Sequence, residues 1–407
     1  MKRDLCWTRL TWSCGTIYLV HVFLPFTFGW PLLSTWNDLF SGQYFFNNKS
    51  TTVDHSPRVL NFFPVPVTEE CLANDGRRRG ICLNTYECRI QNGISQGQCA
   101  LGFGVCCTFT AGCGSEIKNN ITYFTNPNFP GLINDVGECS VVIKKTAQDI
   151  SQIRLDFMHF NLAQPNRKTG VCETDVFMMR GGTYQDIKLC GINSGQHLYY
   201  DVENVNGPIT ITILLTSANT PRMWEIKISQ IEFNRRAPAG CTQYFPEPSG
   251  IIQTMNYAIN GRHLADQDYI ICMRQAQGMC SIAYEPCDEN SFKIGPPVSE
   301  NDIGSGDGEL GAPGGSQNLN LFKECSDRVL MPCDSEEFIT PGGGPAVCDL
   351  LHCGNSFCSS SEQKPCRIES STTPFHIRVQ FGPGLREESP EDNLGMCLKY
   401  EQLPCIS

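Results

Sequence analysis

Alternating apolar and polar residues predict β-strands in the middle and the last third of the chain. In the middle, Ile153–Phe157, Ile209–Leu215 and Trp224–Ile228 alternate in this way, with Gly, Asn and Pro between them. Tyr269–Cys272 and Phe375–Phe381 are strand candidates further on. A period of two residues is typical of half-buried strands. Since the middle stretch shows no convincing helical period, we expect an all-β fold made of β-sandwich domains.

The N-terminus predicts export from the cell. Three basic residues among the first nine precede an apolar run over about residues 16–33. A basic segment followed by an apolar one resembles a secretory signal. The run is long for a signal, and one histidine and two prolines interrupt it, although a membrane span needs about 20 mainly apolar residues. We assign residues 1–42 to a signal peptide or, alternatively, to an uncleaved anchor of a single-pass protein whose C-terminal part lies outside.

Cysteine placement also indicates an extracellular protein. Of the 24 cysteines, only Cys6 and Cys14 precede residue 70, and the remainder lie between Cys71 and Cys405. An even set at this density predicts the disulfide framework of a secreted protein. Sequons at Asn48 and Asn120 predict N-glycosylation and support export.

Composition divides the chain into successive blocks. Residues 43–67 are expected to be a linker, and residues 68–110 hold six cysteines in a module too small to fold without bridges. Residues 111–234 and 235–407 carry the strand signals. Within the last block, residues 295–320 are rich in Gly, Pro, Ser and acidic residues, which predicts a disordered insertion.

The charge of the chain narrows the classes of partner. The formal net charge is −11 and the pI is near 5.2. An acidic chain is not expected to bind nucleic acid or an anionic membrane surface as its main partner. Contact with a membrane is expected only through the N-terminal segment, if that segment is not removed.

The block over residues 111–234 resembles a CUB domain, a β-sandwich whose family pattern has four cysteines in two bridges. Cys113 and Cys139 match the first pair, and Cys172 and Cys190 match the second. The segment Asn126–Pro130 resembles the opening turn of the family. The resemblance implies a jelly-roll-like sandwich that serves extracellular binding.

The last block resembles a second, divergent CUB domain. Cys241 and Cys272 take the first-pair positions, Cys325 and Cys353 take the second-pair positions, and Asn393–Tyr400 resembles the closing strand. Eight further cysteines fall outside the pattern, and their connectivity stays open: Cys280, Cys287, Cys333, Cys348, Cys358, Cys366, Cys397 and Cys405.

The N-terminal cysteine module resembles the clip-like knots of arthropod secreted proteins. The ending Gly102–Cys107, with its adjacent cysteines, carries this resemblance. The whole arrangement is similar to CUB-domain proteins of insects and other arthropods. The clip pairing implies three bridges: Cys71–Cys106, Cys82–Cys99 and Cys88–Cys107.

Many CUB domains bind calcium, and the resemblance makes Asp175 the candidate ligand in the first one. Calcium takes six to eight oxygen ligands, several of them from carboxylates. The glutamate expected near Leu162–Gln164 is missing, and Ala218 or Asn219 replaces the second aspartate. We therefore expect no cofactor and interpret Asp175 as a residue that caps a turn. Calcium binding at Asp175 is the alternative.

The same comparison applies to the last block. There Asp327 lies one place before the expected position, and Arg328 fills it. We therefore expect calcium binding in the last block even less than at Asp175.

The sequence offers little for catalysis or zinc. No Gly-Asp-Ser-Gly-Gly loop of trypsin-like enzymes is present, so no catalytic residue is assigned. His159, His197 and His376 are interpreted as structural. Cys348, Cys353 and Cys358 with His352 have a metal-like order, but their spacing is long for zinc and disulfides are favoured in an oxidising compartment.

Two basic segments are alternative processing sites. The Arg77–Arg79 triplet is interpreted first as a solvated loop that contacts an acidic glycan or protein, and second as a cleavage site. Arg235 and Arg236 form a similar pair between the CUB-like blocks. Neither segment alone assigns a function.

Together these features predict a secreted, non-catalytic binding protein whose partner is an extracellular protein or glycan. Because clip-like knots commonly precede proteases, the alternative is an accessory component of an extracellular protease cascade. A membrane-anchored adhesion protein is the third possibility, and it depends on whether residues 16–33 are removed.

Overall fold

The computed structural model describes five ranges of the chain: 70–257, 262–296, 325–332, 349–358 and 366–405. Several sequence predictions fall outside them: the signal or anchor over 1–42 with Cys6 and Cys14, the linker over 43–67 with Asn48, and nearly all of the insertion over 295–320. Among the described residues, no helix has both the length and the apolar character needed to cross a membrane.

A four-stranded sheet forms the cysteine module, residues 70–109. Its elements are β1 Glu70–Leu72, β2 Arg79–Leu83, α1 Thr85–Ile90, β3 Ile94–Cys99 and β4 Gly104–Thr108. The strand order is β1-β2-β4-β3. Asn84 caps the helix, because its side chain accepts a hydrogen bond from the Glu87 amide at 2.8 Å. Bonds Cys71–Cys106, Cys82–Cys99 and Cys88–Cys107 cross the sheet.

Two five-stranded sheets form the first sandwich, residues 110–237. Their strands are β5 Thr110–Ala111, β6 Glu116–Ile117, β7 Ile121–Thr125, β8 Gly137–Ile143, β9 Ile150–Asn161, β10 Asp175–Arg180, β11 Ile187–Leu189, β12 His197–Asp201, β13 Ile209–Leu215 and β14 Met223–Glu232. One sheet has the order β11-β10-β13-β8-β6 and the other β12-β9-β14-β7-β5. Disulfides join Cys113 to Cys139 and Cys172 to Cys190.

The second sandwich, residues 241–405, also has two sheets. Its strands are β15 Cys241–Phe245, β16 Ser249–Gln253, β17 Gln267–Met273, β18 Met279–Pro286, β19 Phe292–Lys293, β20 Arg328–Pro332, β21 Asp349–His352, β22 Ile368–Ser370, β23 His376–Phe381 and β24 Gly395–Pro404. One sheet has the order β15-β17-β23-β20-β21, and the other has β16-β24-β18-β22 with β19 added against β24. The all-β prediction is thereby confirmed.

Five disulfides join described residues of the second sandwich. They join Cys241–Cys272, Cys280–Cys405, Cys287–Cys397, Cys325–Cys353 and Cys358–Cys366. Two of these bonds join the β18 and β24 strands. Cys280 lies in β18 and its partner Cys405 follows β24, while Cys287 follows β18 and its partner Cys397 lies in β24. The two bonds are nested, because Cys280–Cys405 encloses Cys287–Cys397. The structure thus supplies partners for six of the eight cysteines left open above, whereas Cys333 and Cys348 lie outside the described residues.

Buried hydrogen bonds join the two sandwiches. Asn256 is fully buried and has a φ of 62°, a left-handed conformation that asparagine tolerates. Its backbone N–H donates to Asn193 Oδ1 at 2.7 Å, and its Oδ1 accepts from the Ile192 N–H at 2.8 Å. Buried apolar side chains of the two sandwiches also form a single continuous cluster. The sandwiches therefore pack as one body in this region.

The nested bonds should stabilise the second sandwich in a non-additive way. With Cys287–Cys397 intact, Cys280–Cys405 closes a loop of only about 15 residues, which is worth about 3 kcal/mol in the chain-entropy model. Replacing either pair by alanines should cost about that much, whereas removing both opens a loop of more than 100 residues and should cost more than the sum. Urea unfolding of the three variants measures this, and strictly additive losses would contradict the nested arrangement.

Acid should destabilise the fold through its buried histidines. Burial is the main cause that lowers the pKa of His197 to about 4, that of His263 to about 3 and that of His352 to about 4. In the unfolded chain these rings gain a proton near pH 6.5. Because the unfolded state then binds more protons, we expect stability to fall as the pH drops from about 6.5 to 4.

The histidine at the boundary between the sandwiches offers a specific check. His197 Nε2 accepts a hydrogen bond from the Tyr244 N–H at 3.2 Å. In a His197→Asn variant the side chain cannot take up a proton, so the free energy of unfolding measured between pH 7 and pH 4 should change less steeply than in the parent protein. A slope equal to that of the parent would show that His197 is not one of the responsible groups.

Candidate functional site

A partly buried ion pair attaches the cysteine module to the first sandwich. The guanidinium of Arg78 donates to Glu225 Oε1 at 2.7 Å, and the carboxylate is only 5% exposed. The same guanidinium lies 5.1 Å from the ring centre of Tyr123 and 5.8 Å from that of Phe129, within the range of cation–π attraction. The contact therefore combines a partly desolvated ion pair with two aromatic faces.

Tyr123 provides a second contact at the same place. Its hydroxyl accepts a hydrogen bond from the Arg79 N–H at 2.6 Å and donates to the Arg79 carbonyl at 3.0 Å. Burial is the main cause that raises the pKa of Tyr123 to about 12, so the hydroxyl keeps its proton. The interpretation of Arg77–Arg79 as a solvated loop is wrong for Arg78, because the side chain that it places in solvent is the one that docks the module.

A groove opens between the docked module and the outer face of the sheet. Its volume is about 480 Å³. The module contributes Glu70, Arg77 and Arg79 to the lining, and the sandwich contributes the remainder. Five cationic and three anionic side chains line it, and we call it the basic groove: the cations are Arg77, Arg79, Arg154, Lys227 and Arg235, and the anions are Glu70, Asp156 and Glu232.

Strand register places the charges on the floor of the basic groove. Lys227 of β14 lies opposite both Tyr123 of β7 and Asp156 of β9. Arg154 of β9 donates to Asp156 Oδ1 at 2.6 Å and to the Tyr199 hydroxyl at 2.7 Å. The alternation that predicted β9 and β14 therefore also explains why these polar residues share the outward face, since their apolar neighbours point into the core.

Asp175, the calcium candidate, is paired with Arg222 inside the first sandwich. Arg222 Nε and Nη2 donate to the two oxygens of Asp175 at 2.6 Å and 2.8 Å, and both side chains are fully buried. Arg222 also donates to the carbonyls of Asp135 and Ser217, and the Ala163 N–H donates to Asp175 Oδ2 at 2.9 Å. Burial raises the pKa of Asp175, but the Arg222 and Ala163 hydrogen bonds outweigh it, so the pKa is lowered overall.

This arrangement does not fit a calcium ion. Calcium needs six to eight oxygens with several carboxylates, and here a guanidinium already occupies both oxygens of the candidate carboxylate, Asp175. Gln164, near the expected glutamate position, instead accepts a hydrogen bond from Asn256 of the second sandwich at 3.1 Å. Asn219, near the expected second aspartate, is an exposed residue with a φ of 70° in a turn.

The corresponding residues of the second sandwich have other partners. Asp327 accepts from the Gly382 N–H at 2.7 Å and lies 3.2 Å from His263 Nε2. Arg328 Nε donates to Gln380 at 2.9 Å. Burial is the main cause that raises the pKa of Asp327.

The zinc-like series of residues is divided among disulfides. Cys353 is bonded to Cys325, and Cys358 to Cys366. The ring of His352 is buried and contacts the carbonyl of Phe357 at 2.9 Å. Over the described ranges, no group of three or more His, Cys, Asp or Glu residues could hold a metal ion.

The other candidate positions lie at or near the basic groove. The predicted glycosylation site Asn120 is exposed and lies in its lining, as does exposed Arg235. Arg236 is bonded to Glu203, and its guanidinium lies 4.1 Å from the ring centre of Phe233. His159 Nε2 accepts a hydrogen bond from Arg77 Nη2 at 3.1 Å, beside the docking contact.

Sequence reasoning missed the partners of the two buried carboxylates. Glu225 and Lys227 were recognised only as outward polar positions of a strand. Arg222 carries no motif; the only signal was that Asp175 lacked its companion carboxylates and so needed another cation. Docking by Arg78 has no local signal, since it depends on Glu225, 147 positions away along the chain, and on Tyr123.

Comparisons with known families agree with the two sandwiches. Residues 113–228 match the CUB domain, and residues 238–403 match the animal CUB domain. The resemblance to two CUB domains is therefore confirmed, whereas the clip-like module and an arthropod origin stay predictions. No curated protein matches the chain.

Solved structures with similar folds share little sequence with the chain. The CUB1-EGF-CUB2 domains of rat MASP-1 are 12% identical, with 72% of this chain and 99% of that chain covered and a TM-score of 0.23. The MASP-1 CUB2 domain bound to Ca²⁺ is 16% identical, with coverage of 29% and 98% and a TM-score of 0.23. The full extracellular region of zebrafish Gpr126/Adgrg6 is 11% identical, with coverage of 73% and 38% and a TM-score of 0.25.

Breaking the buried pair should strongly destabilise the first sandwich. In an Arg222→Met variant Asp175 is left buried without a partner, and loss of one partner of such a pair costs about 3–5 kcal/mol. The double variant Asp175→Leu with Arg222→Met leaves no buried charge and should be more stable than the single variant. Thermal unfolding compares them; a double variant less stable than Arg222→Met would contradict this account of the pair.

Proposed function

Because the chain carries two CUB domains, we propose that it is a secreted, non-catalytic binding protein that recognises an extracellular protein or glycan. CUB domains are non-catalytic modules, typical of extracellular recognition. The observation that carries the proposal is the cysteine chemistry. All twenty cysteines of the described ranges are joined in ten disulfides, and such bonds persist in oxidising compartments outside the cytosol.

We further propose that recognition by the first CUB domain does not depend on calcium. An ion at the edge of a sandwich would order the loops that carry its ligands. Here Arg222 does this from within, since it joins Asp175, Asp135 and Ser217 on separate segments. An arginine on the chain is not removed by a chelator, so the loops keep their positions without free calcium.

The contacts that dock the cysteine module support a role for this module in binding, because they fix its position on the first CUB domain. Arg78 reaches Glu225 and Tyr123 of the first CUB domain through contacts that are largely removed from water. A module held in this way presents a surface composed of two parts of the chain. Binding surfaces built on rigid elements lose less conformational entropy when a partner is bound.

Secretion of the full-length chain tests the cellular part of the proposal. We expect the protein in the culture medium, with a mature N-terminus beyond the apolar run and no reactive thiol before reduction. Two reactive thiols together with retention on the cell surface would instead indicate that Cys6 and Cys14 remain in an uncleaved anchor. Cytosolic protein with many reactive thiols would overturn the proposal.

Calcium dependence is measured on the same secreted protein. Its thermal unfolding midpoint should be equal in millimolar calcium and in chelator, because Arg222 occupies the candidate carboxylate. The MASP-1 CUB2 domain, which has been crystallised with Ca²⁺, serves as the positive control. A calcium-induced rise in the midpoint that disappears in an Asp175→Asn variant would contradict the calcium-independent form of recognition.

A further inference from the structure

The cations of the basic groove exceed its anions on a chain that is acidic overall. The groove has five cationic and three anionic side chains, whereas the whole chain has a net charge of −11. A concave surface with one sign of charge in excess focuses the electrostatic potential and attracts the opposite charge. The groove therefore favours an anionic ligand at a place where most of this protein repels one.

Two of its cations have no internal partner. Arg77 donates a hydrogen bond to His159 Nε2 at 3.1 Å, Arg79 is 3.4 Å from Glu70, and Arg154 is 2.6 Å from Asp156. Half-buried Lys227 and exposed Arg235, in contrast, make no ion pair with any described residue. Their charges are therefore available to an incoming group.

The other side chains that line the basic groove favour some classes of anion over others. Carboxylates of Asp156 and Glu232 and polar side chains of Asn120 and Ser229 lie among the cations. Carboxylates accept hydrogen bonds and repel a purely acidic chain, while arginine binds oxyanions through paired N–H groups. A sulfated sugar offers both sulfate oxygens for the cations and hydroxyl donors for the carboxylates. An acidic peptide offers fewer side-chain donors to match them.

We propose that the basic groove binds a sulfated polysaccharide. The volume of about 480 Å³ lies in the range of about 300–1,000 Å³ that is usual for small-ligand sites, enough for a short segment of such a chain. Lys227 and Arg235 contact sulfate groups, and the module closes one wall through Arg77 and Arg79. This proposal rests on the extracellular location proposed above, where sulfated polysaccharides occur.

Heparin provides the probe for the test. The full-length secreted protein is passed over immobilised heparin and, separately, over heparin from which the sulfates have been removed. We expect binding to the sulfated form only, weakened as salt is added, because screening reduces the attraction between exposed charges. The Asn120→Gln variant, which lacks the predicted glycan at the groove, should bind at least as tightly as the parent protein.

A pair of double variants with equal change in charge assigns the binding to the groove. Lys227→Gln with Arg235→Gln removes the two unpaired cations, and the loss of two charge-assisted contacts should weaken heparin binding about tenfold or more. Lys399→Gln with Arg386→Gln removes one exposed lysine and one exposed arginine of the second sandwich and should change the affinity by less than about threefold. Since Arg235 is exposed, Arg235→Gln alone provides a variant whose folding is not at risk.

Three results would overturn the groove proposal. They are equal weakening by both double variants, equal binding to the desulfated form, and binding of poly-glutamate in preference to heparin. Each can occur with a secreted protein that is fully disulfide-bonded, so each leaves the proposed function standing. Failure of secretion, or many reactive thiols, would instead refute the proposed function itself.

Discussion

Two buried carboxylates of the first CUB domain each require a cation, and an arginine supplies it in both cases. Asp175 is fully buried and Glu225 is 5% exposed. A carboxylate removed from water to this degree is costly unless it is paired and hydrogen-bonded. Arg222 comes from the same sandwich and Arg78 from the cysteine module. The local loop geometry and the placement of the module both depend on satisfying these charges.

The two pairs have different consequences for the fold. A buried ion pair often contributes little net stability relative to apolar residues of the same size, but the loss of one partner is expensive. The Arg222 pair therefore acts within one domain and excludes arrangements that leave Asp175 alone. The Arg78 pair does the same between two parts of the chain: any other position of the module would leave Glu225 buried without its cation, or exposed at the loss of the Tyr123 contacts.

The sequence was informative where the signal is periodic or local. The alternation in Ile209–Leu215 coincides with β13 because each inward residue of that strand enters the core. The pairings of Cys113 with Cys139 and of Cys172 with Cys190 could be stated only through the resemblance to the CUB family. Spacing alone did not fix the pairing of Cys280 with Cys405, because their partnership depends on β18 and β24 being neighbours in the sheet.

The candidate site was harder to anticipate because its residues are distant in sequence and ordinary in composition. Arg78 lies within a basic triplet that suggests a solvated surface, and nothing in the triplet distinguishes this half-buried arginine from its two exposed neighbours. Its partial burial follows from its contacts with Glu225 and Tyr123, which adjacent strands β14 and β7 place on one face. Such contacts arise from tertiary structure, so they cannot be inferred from a single sequence.

Because both the module and the first sandwich line the basic groove, ligand binding is also linked to the position of the module. Arg77 and Arg79 of the module line the basic groove together with Lys227 and Arg154 of the sandwich. A ligand that contacts both walls binds only the docked form, and mass action then stabilises docking in proportion to the logarithm of ligand concentration above Kd. Conversely, Arg78 and Glu225 hold the walls in place before a ligand arrives, so less of the binding free energy is spent on ordering the module. The ion pair that fixes the module is thus the interaction through which the fold would set affinity at the groove.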